Sequence, residues 1–278
     1  MKIELASNYG FCFGVKRAIE IAQKHENSAT MGPLIHNEDE INRLKKDFRV
    51  GLYSSLSDVK PNDTVIIRTH GIPKNDLKEL RKTTKKVINA TCPFVTTPQN
   101  IVKNMSKEGY SILVFGDKEH PEVKGVISYA DDLDDVHIVL CVKDLDNIKF
   151  KNKKIACVAQ TTKKKETYLE IVNSLILKNK EVRVFNTICD ATFENQDAAR
   201  DISKKADVMI VIGGKSSSNT KQLHSICLEN CPDSYLIENE EELEEKWFIN
   251  KEFCGITAGA STPDWVIQKV LSKIKSFT

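Results

Sequence analysis

The chain has 278 residues, 40% of them hydrophobic and 29% charged, with 41 Lys plus Arg against 39 Asp plus Glu. That length admits one large domain or two to three small ones with real cores, and evenly mixed charge excludes disorder. A net charge of +2 gives no case for nucleic acid, and no apolar run reaches the roughly 20 residues of a membrane helix. Met1-Lys2-Ile3-Glu4 does not read as a secretory leader, so a cytoplasmic protein is expected.

In chain order, a short N-terminal strand leads to Phe11-Cys12-Phe13-Gly14-Val15-Lys16-Arg17, where Val15, Ala18, Ile19 and Ala22 carry helical spacing. Gly32-Pro33-Leu34-Ile35-His36-Asn37 reads as a turn. Val65-Ile66-Ile67 reads as a buried strand ending in Arg68-Thr69-His70-Gly71, and Val87-Ile88-Asn89 as another ending in Ala90-Thr91-Cys92-Pro93. Ser111–Phe115 precedes Gly116-Asp117-Lys118-Glu119-His120-Pro121-Glu122. Ile155–Ala159 precedes Gln160-Thr161-Thr162, and Val182–Phe185 precedes Thr187-Ile188-Cys189-Asp190. Val208–Ile212 opens into Gly213-Gly214-Lys215-Ser216-Ser217-Ser218-Asn219-Thr220. Gly255–Ala258 leads through Gly259-Ala260-Ser261-Thr262 to a helix marked by Pro263, Val266, Ile267, Val270, Leu271 and Ile274. Short apolar runs alternating with helical stripes predict an α/β fold, with parallel sheets covered by helices on both faces.

Eight cysteines stand out in such a chain. In a reducing compartment they are buried small hydrophobes, metal ligands or reactive groups. Cys12, Cys92 and Cys189 each sit just past a strand and just before a helix; Cys92 follows Cys12 by 80 residues and Cys189 follows Cys92 by 97. A helix start favours thiolate, and strand ends are where open α/β sheets bind ligands. The recurrence suggests three similar units, each offering one sulfur. Three thiolates without a CxxC pair suit a cubane iron–sulfur cluster with one open iron better than a four-coordinate zinc; core packing is the competing reading. Cys141, Cys157 and Cys254 read as core, and Cys227 with Cys231 as packing on a helix face.

His36, His70 and His120 lie in turn contexts where side chains reach a ligand, while His25, His137 and His224 read as structural or solvated. Pro121 stiffens the turn between His120 and Glu122. Glu122 is open to two readings, a proton carrier or an ordinary acid of a first helical turn. The Gly213–Thr220 segment has the makings of an anion cradle: glycines, hydroxyls and a helix N-terminus. It is not a Walker A loop, because Lys215 precedes the serines. With the Ser261 and Thr161 turns it suggests a pocket for an anion such as a diphosphate.

Seven ordered segments, GFCFGVKRAI, THG, ATCPFVT, HPEVKG, QTT, GGKSSSNT and TAGASTPDW, make the chain resemble the IspH/LytB family of 4-hydroxy-3-methylbut-2-enyl diphosphate reductases over essentially its whole length. The resemblance implies three similar small α/β domains, expected at 1–92, 93–189 and 190–278, in a pseudo-threefold trefoil around a central [4Fe–4S] cluster. Cys12, Cys92 and Cys189 match the cluster ligands, which leave one iron without a protein ligand. His36, His70 and His120 match substrate-binding positions, Glu122 the proton-delivering acid, and Thr161 the first threonine of QTT. Ser217, Ser218, Asn219 and Ser261 match diphosphate-binding positions. Phe13 and Ser216 depart from the commoner family residues. The implied reaction is reductive dehydroxylation to isopentenyl and dimethylallyl diphosphate, the last step of the methylerythritol phosphate route, with ferredoxin or flavodoxin as electron donor. The residues leave two rivals: a cluster-dependent dehydratase, and a non-catalytic phospho-ligand binder with structural cysteines.

Overall fold

A computed structural model describes residues 1–277. The strands are β1 Lys2–Leu5, β2 Ala29–Met31, β3 Gly51–Tyr53, β4 Thr64–Ile67, β5 Lys86–Asn89, β6 Ser111–Phe115, β7 Val136–Val139, β8 Lys154–Ala159, β9 Glu181–Val184, β10 Val208–Ile212, β11 Ser234–Ile237 and β12 Phe253–Ala258. The helices are α1 Phe13–Lys24, α2 Glu38–Phe48, α3 Lys74–Thr83, α4 Pro93–Lys107, α5 Pro121–Ile127, α6 Lys165–Lys178, α7 Asp190–Ser203, α8 Ser218–Asn230 and α9 Asp264–Ser276. Among the described residues the strands form three four-stranded sheets, ordered β3-β2-β4-β5, β7-β6-β8-β9 and β1-β12-β10-β11, and every pairing is parallel. The expected α/β class with three similar parallel sheets is borne out.

The inner strands explain why the apolar runs were legible. β6 and β10 are buried along their whole length, and all of β8 and β12 but the first residue. A strand covered on both faces has no solvent side to make polar, so it reads as a continuous hydrophobic run. In the third sheet Val208, Ile210 and Ile212 face Val266, Ile267, Val270 and Ile274 of α9. The alternate residues Met209 and Val211 face Ala199 and Ile202 of α7 and Leu223 of α8. This is the period of two expected of strand side chains. Each large aliphatic side chain so buried contributes about 1.5–3 kcal/mol before entropy is charged against it.

The sheets, rather than contiguous thirds of the chain, are the repeating unit. β1 pairs with β12, Ile3 opposite Cys254 and Leu5 opposite Ile256, so the N-terminal strand does not join β2–β5. The residues from 190 on supply only β10, β11 and β12. The β12 edge would otherwise expose a row of unpaired backbone groups, and β1 closes it. The chain forms two compact units. One comprises Met1–Lys16, Ile35–Arg43 and the chain from Asp190 onward; the other comprises Arg17–Leu34 and Leu44–Cys189. The first two sheets share that second unit because α4, which leaves the end of β5, lays Val102 and Met105 against Ile112, Val114, Ala156 and Val158 of the next sheet.

Cys157, Cys227, Cys231 and Cys254 are buried, as expected of core residues. Cys141 is exposed, contrary to expectation. It caps a 3-10 turn at Val142–Asn147, where the Asp144 carboxylate accepts from the Leu140 and Cys141 amides at 2.7 and 3.0 Å. Its apolar neighbour Leu140 is itself 53% exposed, so the two were a surface turn rather than a buried strand.

Candidate active site

Each sheet ends its strands in the same way. After the first strand of each set a polar residue at or next to a helix start appears at a fixed step: His36 five residues past Met31, His120 five past Phe115, Ser217 five past Ile212. After the third strand come His70, three past Ile67, Thr162, three past Ala159, and Ser261, three past Ala258. After the remaining edge strands β5, β9 and β1 come Cys92, Cys189 and Cys12, each immediately before α4, α7 or α1. Parallel strands deliver all of these to the C-terminal edge of their sheet, where α/β proteins bind ligands.

In the first unit, the Cys12 amide donates to the Ala260 carbonyl at 3.2 Å, and the Ser261 hydroxyl donates to the His36 carbonyl at 3.2 Å. Gly214 presses against the same carbonyl: a Cβ there would lie 2.4 Å from it. Gly213 has φ +150°, a backbone state that L side chains rarely adopt. Ser217 caps α8, its hydroxyl oxygen accepting from the Thr220 amide at 3.4 Å, which leaves its proton to donate elsewhere. Asn219, in the first turn of α8, is 3% exposed, and neither its Nδ2 nor its Oδ1 has a partner among the described residues. A buried amide left unsatisfied costs about 1–3 kcal/mol, which a bound hydrogen-bonding ligand would repay. Cys12, Ser217, Ser218, Asn219 and Ser261 thus lie on turns of the sheet β1-β12-β10-β11, and His36, which follows β2 of another sheet, meets them through its carbonyl.

In the second unit the Cys92 amide donates to the Thr69 carbonyl at 3.0 Å, beside His70. The rings of His70 and His120 meet edge to face with centroids 5.4 Å apart. His120 caps α5, its Nδ1 accepting from the Glu122 amide at 3.2 Å. Glu122 is 1% exposed; its Oε1 accepts from the Thr161 amide at 2.7 Å and its Oε2 from the Thr161 hydroxyl at 2.8 Å. The Thr161 carbonyl in turn accepts from the Cys189 amide at 3.1 Å. Backbone and side-chain hydrogen bonds, bridged between His70 and His120 by the ring contact, therefore run from Cys92 past His70, His120, Glu122 and Thr161 to Cys189.

Burial pushes Glu122 from its usual 4.5 up to about 7, against the two Thr161 hydrogen bonds and the charge of Lys163, which pull it down. Of the two readings left open by the sequence, this environment fits a proton carrier, whose pKa belongs near the working pH. Lys163 is a residue the sequence did not single out. It is 9% exposed and its pKa is lowered by burial, with Asp117 and Glu122 opposing. Its place directly after QTT was the available signal. Gln160 was likewise noted only as part of a turn; its Oε1 accepts from the Asp117 amide at 3.0 Å and its Nε2 donates to the Thr162 hydroxyl at 3.2 Å, fixing the loop before His120.

The cysteines separate by environment. Cys157, Cys227 and Cys254 have thiols pushed up to about 12 by burial, and Cys231 is raised for the same reason. Such thiols stay protonated and make poor ligands. Among the described residues, Cys12, Cys92 and Cys189 alone are partly exposed, neither core nor open surface. A set of three sulfurs at helix starts fits a cluster held by three thiolates.

Among the described residues no helix is long and apolar enough to cross a membrane. A family model described as LytB protein matches residues 3–275. The chain is 65% identical over 276 residues to a 4-hydroxy-3-methylbut-2-enyl diphosphate reductase of Sulfurovum sp. (strain NBC37-1), covering 99% of each. It is 61% identical over 277 residues to the protein of that name from Campylobacter jejuni (strain RM1221), covering 100% of this chain and 99% of the other. Among solved structures, a (E)-4-hydroxy-3-methyl-but-2-enyl diphosphate reductase matches at 42% identity and TM-score 0.72 over 99% of both chains. The Plasmodium falciparum reductase matches at 32% identity and TM-score 0.90, covering 98% of this chain and 87% of that one. With a family model and full-length relatives in agreement with the turns described above, the chain belongs to the LytB family.

Proposed function

We infer that this protein is a reductase of 4-hydroxy-3-methylbut-2-enyl diphosphate. Two electrons and two protons remove the allylic hydroxyl as water and leave isopentenyl or dimethylallyl diphosphate, the final step of the methylerythritol phosphate route. Membership of the family supports the reaction class. The single structural observation that supports it most is the buried Glu122 carboxyl, raised to about 7 and held by Thr161 beside His120. An allylic hydroxide leaves badly, so the departing oxygen needs a proton, and Glu122 is built to hold one near neutrality.

Cys12, Cys92 and Cys189 are the ligands of a [4Fe–4S] cluster in this reading. When bound, the cluster supplies single electrons from an external donor such as ferredoxin or flavodoxin and, at an iron without a protein ligand, Lewis acidity toward the substrate oxygen. The protein's own residues do the rest. The Ser217, Ser218 and Ser261 hydroxyls and the Asn219 amide bind the diphosphate with the α8 N-terminus behind them. His36, His70 and His120 add donors to the anion. Thr161 orients the Glu122 carboxyl through both of its oxygens. No membrane association is needed, and a cytoplasmic location is consistent with reduced thiols.

The test is Glu122→Gln, purified and loaded with iron and sulfide under anaerobic conditions. Turnover with a chemical one-electron reductant falls about 10²–10⁴-fold while substrate still binds. Near-wild-type turnover would refute the proton role. Substrate conversion by the wild type without any reductant would mark the protein as a dehydratase.

A further inference from the structure

Glu40 lies in the first turn of α2, four residues past His36, and its side chain is 1% exposed. Both carboxylate oxygens are engaged. Arg43 Nη2 donates to Oε1 at 2.6 Å and Arg43 Nε to Oε2 at 2.9 Å. Trp265 Nε1, from the first turn of α9, donates to Oε2 at 3.1 Å across 225 residues of sequence. The Glu40 amide donates to Asn37 Oδ1 at 2.9 Å, so the segment His36–Glu40 is tied at both its side chain and its backbone. Trp265 stands four residues past Ser261, and Lys269 one turn on holds the indole from its face, its ammonium 5.2 Å from the ring centroid. The first turns of α2 and α9 are thus joined four residues past His36 and Ser261, two residues whose own contact runs from the Ser261 hydroxyl to the His36 carbonyl.

A buried carboxylate is a weak means of stabilising a fold, since apolar residues of similar size serve as well or better. What it does supply is a fixed geometry: a bidentate Arg fork and an indole N–H define distance and direction together. We propose that Glu40 and Trp265 form a positioning pair that sets the spacing between His36 and the Ser261 turn, and through it the affinity for the diphosphate end of the substrate. The proposal rests on the reading of those turns as the diphosphate site. Neither residue touches substrate; both act through His36 and Ser261.

Glu40→Gln and Trp265→Phe, alone and combined, test it. Trp265→Phe keeps an aromatic ring at the position and removes the indole donor, so it stays informative if loss of the carboxylate impairs folding. The binding probe is inorganic pyrophosphate, titrated calorimetrically into protein without a cluster; the kinetic readout is KM and kcat of the loaded enzyme. Each single variant weakens pyrophosphate binding and raises KM about three- to tenfold, with kcat within about twofold, as loss of one charge-assisted hydrogen bond implies. The double variant is no worse than the more affected single, because one link has been cut twice. Unchanged pyrophosphate affinity in Trp265→Phe, additive losses in the double variant, or a fall in kcat at constant KM would each overturn the proposal. A wild-type protein that turns over substrate with indifferent variants sinks this inference alone. A wild-type protein that binds no pyrophosphate sinks the reading of the anion turns, and this inference with it.

Discussion

Glu122 gathers most of the chemistry into one side chain. Its carboxyl is buried, yet both oxygens accept from Thr161, so burial raises the pKa to about 7 while the hydrogen bonds keep it from rising further. A group with a higher pKa folded than unfolded binds more protons in the native state across the window between the two values. Stability therefore falls as pH climbs from about 4.5 to about 7, since ionising Glu122 in the folded protein is harder than in the unfolded chain. Urea unfolding of the cluster-free protein at pH 5 and pH 8, compared with Glu122→Gln, measures this. The wild type loses on the order of 1–3 kcal/mol more than the variant over that interval. Equal losses would show that the carboxyl titrates normally. The sequence marked Glu122 by its spacing from His120 but left its role open. Its hydrogen-bond partner Thr161 is 39 residues away, and no local pattern reports that pairing.

At the scale of elements, the turns do the recognising and the strands deliver them. The Gly213-Gly214 turn was legible as an anion cradle because glycine, serine and a following helix are local signals. That it is also the seat of the His36 carbonyl was not legible, because that contact joins two loops nearly 180 residues apart. Gly214→Ala would drive a Cβ to 2.4 Å from the carbonyl oxygen, so the turn or the His36 segment must shift. The expected result is a loss of about 1–3 kcal/mol in stability together with weaker pyrophosphate binding, measured by thermal unfolding with and without pyrophosphate. A variant that keeps both would mean that the two loops are slack. Edge strands tell the same story from the other side. β5 and β9 carry exposed residues and β1 alternates, so they lack the continuous apolar signature of the inner strands and are hard to pair from sequence.

For the whole molecule, the decisive feature is that one strand order occurs three times, the third time completed by the opposite end of the chain. Cys12 consequently follows the same edge position in its sheet as Cys92 and Cys189 do in theirs. Removing residues 1–5 would bare the β12 edge along the Phe253–Ile256 pairings. Hydrogen exchange of the truncated protein should then lose protection in β12 and β10 while β4, β6 and β8, which belong to the other unit, keep theirs. Uniform loss across all three sheets would mean that the units do not open separately.

The sequence by itself determined the parallel α/β class, the helix stripes such as Val15, Ala18, Ile19 and Ala22, the turns that bear histidines and hydroxyls, and the three cysteines set apart at helix starts. These are legible because burial on a helix or an inner strand imposes a local period, and because turn chemistry resides in neighbouring residues. Only the tertiary structure decided that β1 closes the third sheet, that Cys141 lies on the surface, that Glu122 is buried against Thr161, and that Glu40 meets Trp265. Each of these is a pairing of backbone or side-chain groups far apart in the chain, and the partner is chosen by which hydrogen-bonding groups would otherwise be left unsatisfied when the elements pack.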